Sequence, residues 1–244
     1  MMIAIASGKG GVGKTWLAVT LAQALARLER RVLLFDGDLG LANVDVQLGL
    51  DPGRDLGAVV AGRCRLAEAA LSYPLGGFDV VAGRSGSGQL AALGGEGVGA
   101  LLEDLHGLAH GYDVVLLDLP AGIDGLVRRL LAAARLRLVV TTDEPTALTD
   151  AYALIKVGAR ERHDGFALVV NLASGRAAGE RTHDGLRRVC GRFLGLDLPL
   201  AGVVRRDPRV ADAIRHQTPL LTRHPLAPAA RDVEALARHL VGAR

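Results

Sequence analysis

The 244-residue chain is short of lysine, cysteine and aromatic side chains, and each scarcity excludes something. The two cysteines, Cys64 and Cys190, stand far apart with no Cys-x-x-Cys or metal-type spacing. That excludes a disulfide-stapled scaffold and a thiolate metal site, and it fits free thiols in a reducing compartment. Aromatics make up only 3% of the residues, so a core has to be filled by alanine, leucine, valine and glycine. No apolar run reaches the roughly 18 residues that a spanning helix needs. The first one, residues 2–6, is too short for a secretory leader. The expected compartment is therefore the cytoplasm. Half the residues are apolar, which excludes a disordered chain. The net charge of +3 permits an anionic partner without demanding one.

Lysine is the most telling shortage: three lysines stand against 26 arginines. Two of the three fall in residues 8–15, Gly-Lys-Gly-Gly-Val-Gly-Lys-Thr. The spacing Gly8-x-x-x-x-Gly13-Lys14-Thr15 follows a short apolar run and opens a helical pattern, the setting a phosphate-binding loop requires. Gly8, Gly10, Gly11 and Gly13 are expected to let the backbone around Val12 curl its N–H groups toward a polyphosphate. The helix N-terminus adds partial positive charge. Lys14 would reach the β- and γ-phosphates, and the Thr15 hydroxyl would hold Mg²⁺.

Short runs of β-branched and leucine residues predict strands at 3–6, 31–35, 78–82, 113–118, 136–141, 166–171 and 201–204. Most are apolar throughout, as in strands buried on both faces of a parallel sheet. Helical patterns near 14–28, 97–110, 124–134, 147–162, 180–194, 208–216 and 226–241 alternate with them. The order predicts one α/β domain over residues 1–244, doubly wound and three-layered, with its ligand beyond the carboxyl ends of the strands. Three acids fall at that edge: Asp36 and Asp38 after the second strand, and Asp118 at the tip of the fourth. Asp118 suits a Walker-B carboxylate, and Asp38 is placed to orient an attacking water. The spacing of Asp36 and Asp38 alone also allows a simple turn cap. The Gly/Ser-rich stretch 83–88 reads as a loop leaving the same edge.

Lys9, just after the first glycine, makes the loop resemble the deviant Walker A motif of the MinD/ParA family of ATPases. The resemblance covers essentially the whole chain, and it is strongest to the FlhG (FleN) branch, which regulates flagellar number and placement. Residues 36–45 (Asp-Gly-Asp-Leu-Gly-Leu-Ala-Asn-Val-Asp) resemble the family's switch I, and 119–123 (Leu-Pro-Ala-Gly-Ile) its switch II. The stretch from Glu144 through Asp150 to Lys156 and the segment 210–219 resemble the same branch. The resemblance implies a P-loop ATPase that binds ATP and Mg²⁺ in a homodimer. In that reading Lys9 touches the partner's phosphates, Asp38 activates water, and Thr15, Asp36 and Asp118 serve the metal. Asn171 would read the adenine, with Asp207 approaching it. Regulatory protein partners are implied, with a membrane surface next and non-specific DNA as the less favoured choice. The inner-membrane surface is then a peripheral location.

Alternatives within the family are ParA-type partition and MinD-type division-site ATPases. Residues 226–240 carry a helical apolar stripe, either a closing helix or an interfacial one. Arg187, Arg188, Arg192, Arg205, Arg206 and Arg209 read either as a DNA-facing patch or as a solvated face. The sequence given opens directly on the first strand, where FlhG relatives often carry a glutamine-bearing helix that stimulates the GTPase FlhF, so the resemblance leaves that activity open. Trp16, where relatives have smaller residues, is expected to pack beside the loop. Other chemistry on this fold is excluded by what is missing: no cysteines for a shared cluster near the switches, no tyrosine beyond Tyr152, and no second phosphate loop.

Overall fold

The computed structural model describes residues 1–38, 43–83 and 95–242. Along the chain lie β1 (Met2–Ser7), α1 (Lys14–Arg27), β2 (Val32–Asp36), α2 (Val44–Leu48), α3 (Leu56–Val60), α4 (Leu66–Ala69), β3 (Ala70–Tyr73) and β4 (Phe78–Val81). They are followed by α5 (Gly95–Ala109), β5 (Val114–Ala121), α6 (Gly125–Ala133), β6 (Leu136–Thr141), α7 (Pro145–Glu161) and β7 (Phe166–Ala173). The chain closes with α8 (Arg176–Leu194), β8 (Leu200–Arg205), α9 (Pro208–Arg215), α10 (Leu220–Arg223) and α11 (Pro228–Gly242).

The strands form one sheet in the order β3-β4-β2-β5-β1-β6-β7-β8. All pairings are parallel except β3 with β4. The unbroken apolar runs are explained by cover on both faces. Alternate side chains of each strand enter different cores: Ile3 and Ile5 pack with α1 and α11, Ala4 and Ala6 with α6 and α7. The chain leaves β1 for β2 through α1 on one face, and β5 for β6 through α6 on the other. The crevice between β1 and β5 is where that reversal opens the carboxyl edge to a ligand.

The seven expected strands are present, each within three residues of its expected ends. One more, β3, pairs antiparallel at the sheet margin through a turn whose Gly77 has φ 75°. The short helices α2, α3, α4 and α10 are also additional to the expected pattern. Pro145 sits in the first turn of α7 and starts that helix two residues early.

The C-terminal stripe faces inward. Ala229, Val233 and Leu236 of α11 are fully buried against β8 and α1, while Leu226, just outside the helix, is 74% exposed. Arg205 grips Asp232 of the same helix through Nε and Nη2, both at 2.8 Å. Arg187 pairs with Asp197, and Arg209 lies 3.9 Å from Asp207, so fixed carboxylates offset half of the arginines in the supposed patch. No described helix is long and apolar enough to cross a membrane.

Arg137 shows how the fold satisfies a buried charge chiefly through main-chain carbonyls, with the charge of Asp164 nearby. Its guanidinium donates to the carbonyls of Leu131 (2.9 Å), Ala134 (3.0 Å) and Asp164, and it lies 5.0 Å from the Phe166 ring. The end of α6 and the turn before β7 are thereby tied to β6.

A nucleotide site at the carboxyl edge of the sheet

The phosphate loop occupies the gap between β1 and α1. Gly13 is the N-cap of α1 in the left-handed region, φ 83°, and a Cβ there would land 2.5 Å from the Asn171 amide nitrogen. At Gly8 a Cβ would strike the Asp150 carbonyl oxygen at 2.1 Å. Both positions admit only glycine. The two glycines at the crest of the loop differ from these, although the sequence grouped all four together. Gly10 and Gly11 are exposed, and a Cβ on either would meet no described atom within 4 Å. Gly11 still favours glycine through its backbone, at φ 80°. Gly10 does not: neither its conformation nor its surroundings in the ligand-free chain exclude a side chain, which corrects the expectation that the curl itself needs glycine there. Val12, by contrast, is buried and anchors the loop in the core. No acidic residue sits in the first turn of α1 and no side chain caps it. The first amides of the helix, at Lys14 and Thr15, belong to the helix end that suits an anion.

The tips of β1, β2 and β5 are bonded together around this loop. Gly37 N donates to Asp118 O at 2.8 Å, and Gly122 N to Ser7 O at 3.0 Å. The Ser7 hydroxyl donates to Lys9 O at 2.8 Å. Asp36 and Asp118 are direct partners across β2 and β5, and both are fully buried.

Their surroundings differ. The Asp36 carboxylate accepts from Asp38 N (3.1 Å) and Val44 N (3.3 Å), spanning the start of switch I to α2. Its pKa is pushed up to about 8, first by burial, then by the charge of Asp118, against the pull of those two amides. Neither oxygen of the Asp118 carboxylate has a partner of good hydrogen-bonding geometry among the described residues, although the Thr15 hydroxyl lies beside it. Burial lifts its pKa to about 6, while the Lys14 charge and the Thr15 hydroxyl beside it pull downward. An orphaned carboxylate next to a hydroxyl is an all-oxygen donor set suited to Mg²⁺. No cluster of three His, Cys, Asp or Glu able to hold a metal occurs among the described residues. A cation here would take its remaining ligands from phosphate and water.

Asp38 stands half-buried just past the strand end. Residues 39–42 of switch I, and residues 84–88 of the Gly/Ser stretch, lie outside the described residues. Lys9 folds back onto its own chain: Nζ donates to Glu144 Oε2 and Thr146 Oγ1, both at 2.9 Å, at the start of α7. These partners were not singled out from the sequence. Their signal lay in the segment 144–156, which resembles the family but carries no motif that points to Lys9.

Asn171, at the end of β7, is fully buried. Its Nδ2 donates to Val12 O at 2.8 Å and its Oδ1 has no partner among the described residues, so it braces the loop from beneath. The next residue, Leu172, has φ 56°, a left-handed conformation that costs a branched side chain energy and marks this tip as constrained. Asp207 is otherwise engaged. It caps α9 by accepting from Arg209 N (3.0 Å) and also accepts from Ala229 N (3.3 Å) in the first turn of α11. Trp16 packs in the core directly behind the loop, 6% exposed, with its indole N–H unpartnered among the described residues.

A doubly wound parallel sheet with this loop at its carboxyl edge defines a P-loop nucleotide-binding protein. Residues 3–220 match the CobQ/CobB/MinD/ParA nucleotide-binding domain, and the chain belongs to that family. It is 40% identical over 238 residues to the antiactivator FleN of Pseudomonas aeruginosa, covering 97% of this chain and 85% of that protein. It is 31% identical over 216 residues to the flagellum site-determining protein YlxH of Helicobacter pylori, covering 88% of this chain and 73% of that protein. Among solved structures, the septum site-determining protein MinD of Pyrococcus horikoshii complexed with Mg-ADP superimposes with a TM-score of 0.81 at 28% identity. The match covers 98% of this chain and 95% of that one.

Proposed function

We propose that the chain is an ATP-driven dimerisation switch whose output is the number or placement of flagella. The observation that carries the nucleotide part is Asp118: a fully buried carboxylate with no amide partner among the described residues, at the foot of an intact phosphate loop. Two relatives whose names are FleN and the flagellum site-determining YlxH support the flagellar output.

In this reading the loop amides, those of Gly10 and Gly11 included, and Lys14 hold the β- and γ-phosphates. Gly10 is then kept small by the approach of the phosphates rather than by the fold. Thr15 and Asp118 hold Mg²⁺ directly or through its waters, and the metal neutralises charge that develops on the phosphates. Asp36 shapes the turn into α2, which sets Asp38 to orient the attacking water. Asn171 and the neighbourhood of Asp207 face the base. Lys9 exchanges Glu144 and Thr146 for the phosphates of a facing subunit, which makes the dimer depend on the triphosphate. Hydrolysis is slow because positioning and charge stabilisation carry the step, and a partner can complete them.

The variant Asp38→Ala, with ATP and Mg²⁺, is expected to accumulate as a dimer by light scattering. A monomer under those conditions overturns the sandwich. Removing the gene from its own organism is expected to change flagella per cell in electron micrographs. Normal flagella with misplaced septa or lost DNA would assign the switch to a MinD- or ParA-type role instead.

A further inference from the structure

Segment 210–219 carries part of the family resemblance yet supplies nothing to the phosphate loop or its acids. Within it, α9 closes with a Schellman turn: Gln217 N donates to Ile214 O at 3.0 Å and Thr218 N to Ala213 O at 3.1 Å. The turn puts Gln217 in the left-handed region, at φ 48°. That position ordinarily belongs to glycine, less often to asparagine, because a Cβ there is strained. The main chain alone would be better served by glycine, so the side chain has to account for the glutamine.

That side chain reaches α2, the short helix into which switch I runs. Gln217 Nε2 donates to Val46 O at 2.9 Å, across 171 positions of chain. From its own turn Val46 O receives a longer bond, 3.4 Å from Gly49 N. Gly49, the C-cap of α2 at φ 65°, lies against the same glutamine: a Cβ there would come within 3.1 Å of Gln217 Oε1. Apolar packing leaves α2 incompletely fixed. Val44 and Leu48 are buried, but a small cavity lined by Trp16, Leu48, Ile214 and Thr218 remains between α1, α2 and the α9–α10 turn. At its other end α2 hangs from Asp36, which accepts from Val44 N at 3.3 Å and from Asp38 N at 3.1 Å. The two bonds share one carboxylate, so a shift of α2 reaches Asp38.

We propose that Gln217 is a positioning residue for the hydrolytic step: it holds α2, and α2, through Asp36, sets Asp38. The proposal rests on the reading of Asp38 as the residue that orients the attacking water. Gln217 belongs to neither the phosphate loop nor the acid pair, and it acts only through the geometry of switch I. Such geometry governs rate more than binding, because a displacement of about 1 Å at the reacting groups is costly in the transition state. The bond to Val46 O is exposed, so it adds little to global stability.

The test uses Gln217→Glu, which keeps the shape and removes the donor, and Gln217→Gly, which removes the side chain and relieves the backbone. Phosphate release with Mg-ATP gives kcat and KM. Hydrogen exchange of the ligand-free chain, by mass spectrometry, gives the protection of residues 44–50. In both variants kcat should fall about tenfold while KM holds within about twofold. Exchange over 44–50 should quicken, and exchange in the sheet should stay as it was. Gln217→Gly should melt no lower than the wild type, so that turnover and stability part company. Unchanged kcat in a folded Gln217→Glu chain overturns the proposal, as does unchanged protection of 44–50. A KM that rises with kcat unaltered also overturns it, by placing Gln217 in nucleotide binding. So does a kcat that falls only in step with the melting temperature of both variants, which makes the residue structural alone. Failure of the underlying reading looks different. A wild-type chain without ATP turnover strikes the switch itself, and normal turnover by Asp38→Ala strikes the role of Asp38; either takes the proposal with it before a Gln217 variant is measured.

Discussion

Asp118 and Asp207 are both aspartates at or just beyond the carboxyl end of a parallel strand, and both are almost completely buried, yet they meet opposite environments. Asp207 accepts amides from the starts of two helices and holds α9 and α11 against β8. Asp118 accepts no amide among the described residues and has the Lys14 charge and the Thr15 hydroxyl beside it, with its pKa raised. A buried carboxylate without partners costs several times what its bonded counterpart does, because desolvation goes uncompensated. The molecule carries that cost at one tip and avoids it at another. The difference separates a group that builds the fold from a group kept for a ligand.

The sharpest way to break the comparison is Lys14→Ala, which removes the cation at the ligand end. Nucleotide affinity should fall by about 3 kcal/mol, more than a hundredfold, in isothermal titration, with the melting temperature little changed. Retained affinity would mean that the loop is not the phosphate site. Next in size is Asp207→Ala. Losing both amide contacts should cost about 2 kcal/mol of stability in urea denaturation while ATP affinity holds. Lost preference for ATP over GTP at unchanged stability would reverse the two roles.

The pH dependence of the ligand-free protein sharpens the contrast further. Asp36 and Asp118 have folded pKa values of about 8 and about 6, above the ordinary 3.8. The native state therefore binds more protons than the unfolded one. The linked stability is complete below about pH 4 and is lost as pH rises toward 6 for Asp118 and 8 for Asp36. Unfolding measured in EDTA should show that decline, and Asp118→Asn should flatten its lower part. A stability that rises over this window would contradict the raised values. The smallest effect belongs to Glu144→Ala. The Lys9–Glu144 pair is largely solvated, so folding should change by less than about 1 kcal/mol. Dimers should nevertheless form at lower ATP in sedimentation velocity, because Lys9 is released. Weaker dimers would show that Glu144 assists the dimer.

Much of the site could be read in advance because its parts are local. The loop needs residues 8–15 in one order, and the strands leading to Asp36 and Asp118 announce themselves as apolar runs. What could not be read depends on pairing. Gly8 and Gly13 are hemmed in by Asp150 and Asn171, from distant parts of the chain, whereas no described atom crowds Gly10 or Gly11; residue type alone does not separate the two pairs. The stretch Ala-Leu-Ser-Tyr of β3 has no run or alternation of its own and becomes a strand only because β4 offers it an edge. Asp207 was expected near the base; its two helix caps depend on α11 returning beside β8. The Lys9 contact joins residues 135 positions apart. The C-terminal stripe, which suited either a closing helix or a membrane surface, was decided by α1 and β8 filling its apolar face.

Residue order by itself determined the phosphate loop, the alternation of strand and helix, and the placing of acids at strand ends, because each follows from neighbours in the chain. Tertiary structure alone decided which buried polar groups are satisfied. Asp36 finds amides, Asp207 finds two helices, Asn171 finds the loop, and Asp118 finds no amide among the described residues. The reason is physical: hydrogen bonding in the interior depends on what the fold brings within about 3 Å, and that distance is not written along the chain.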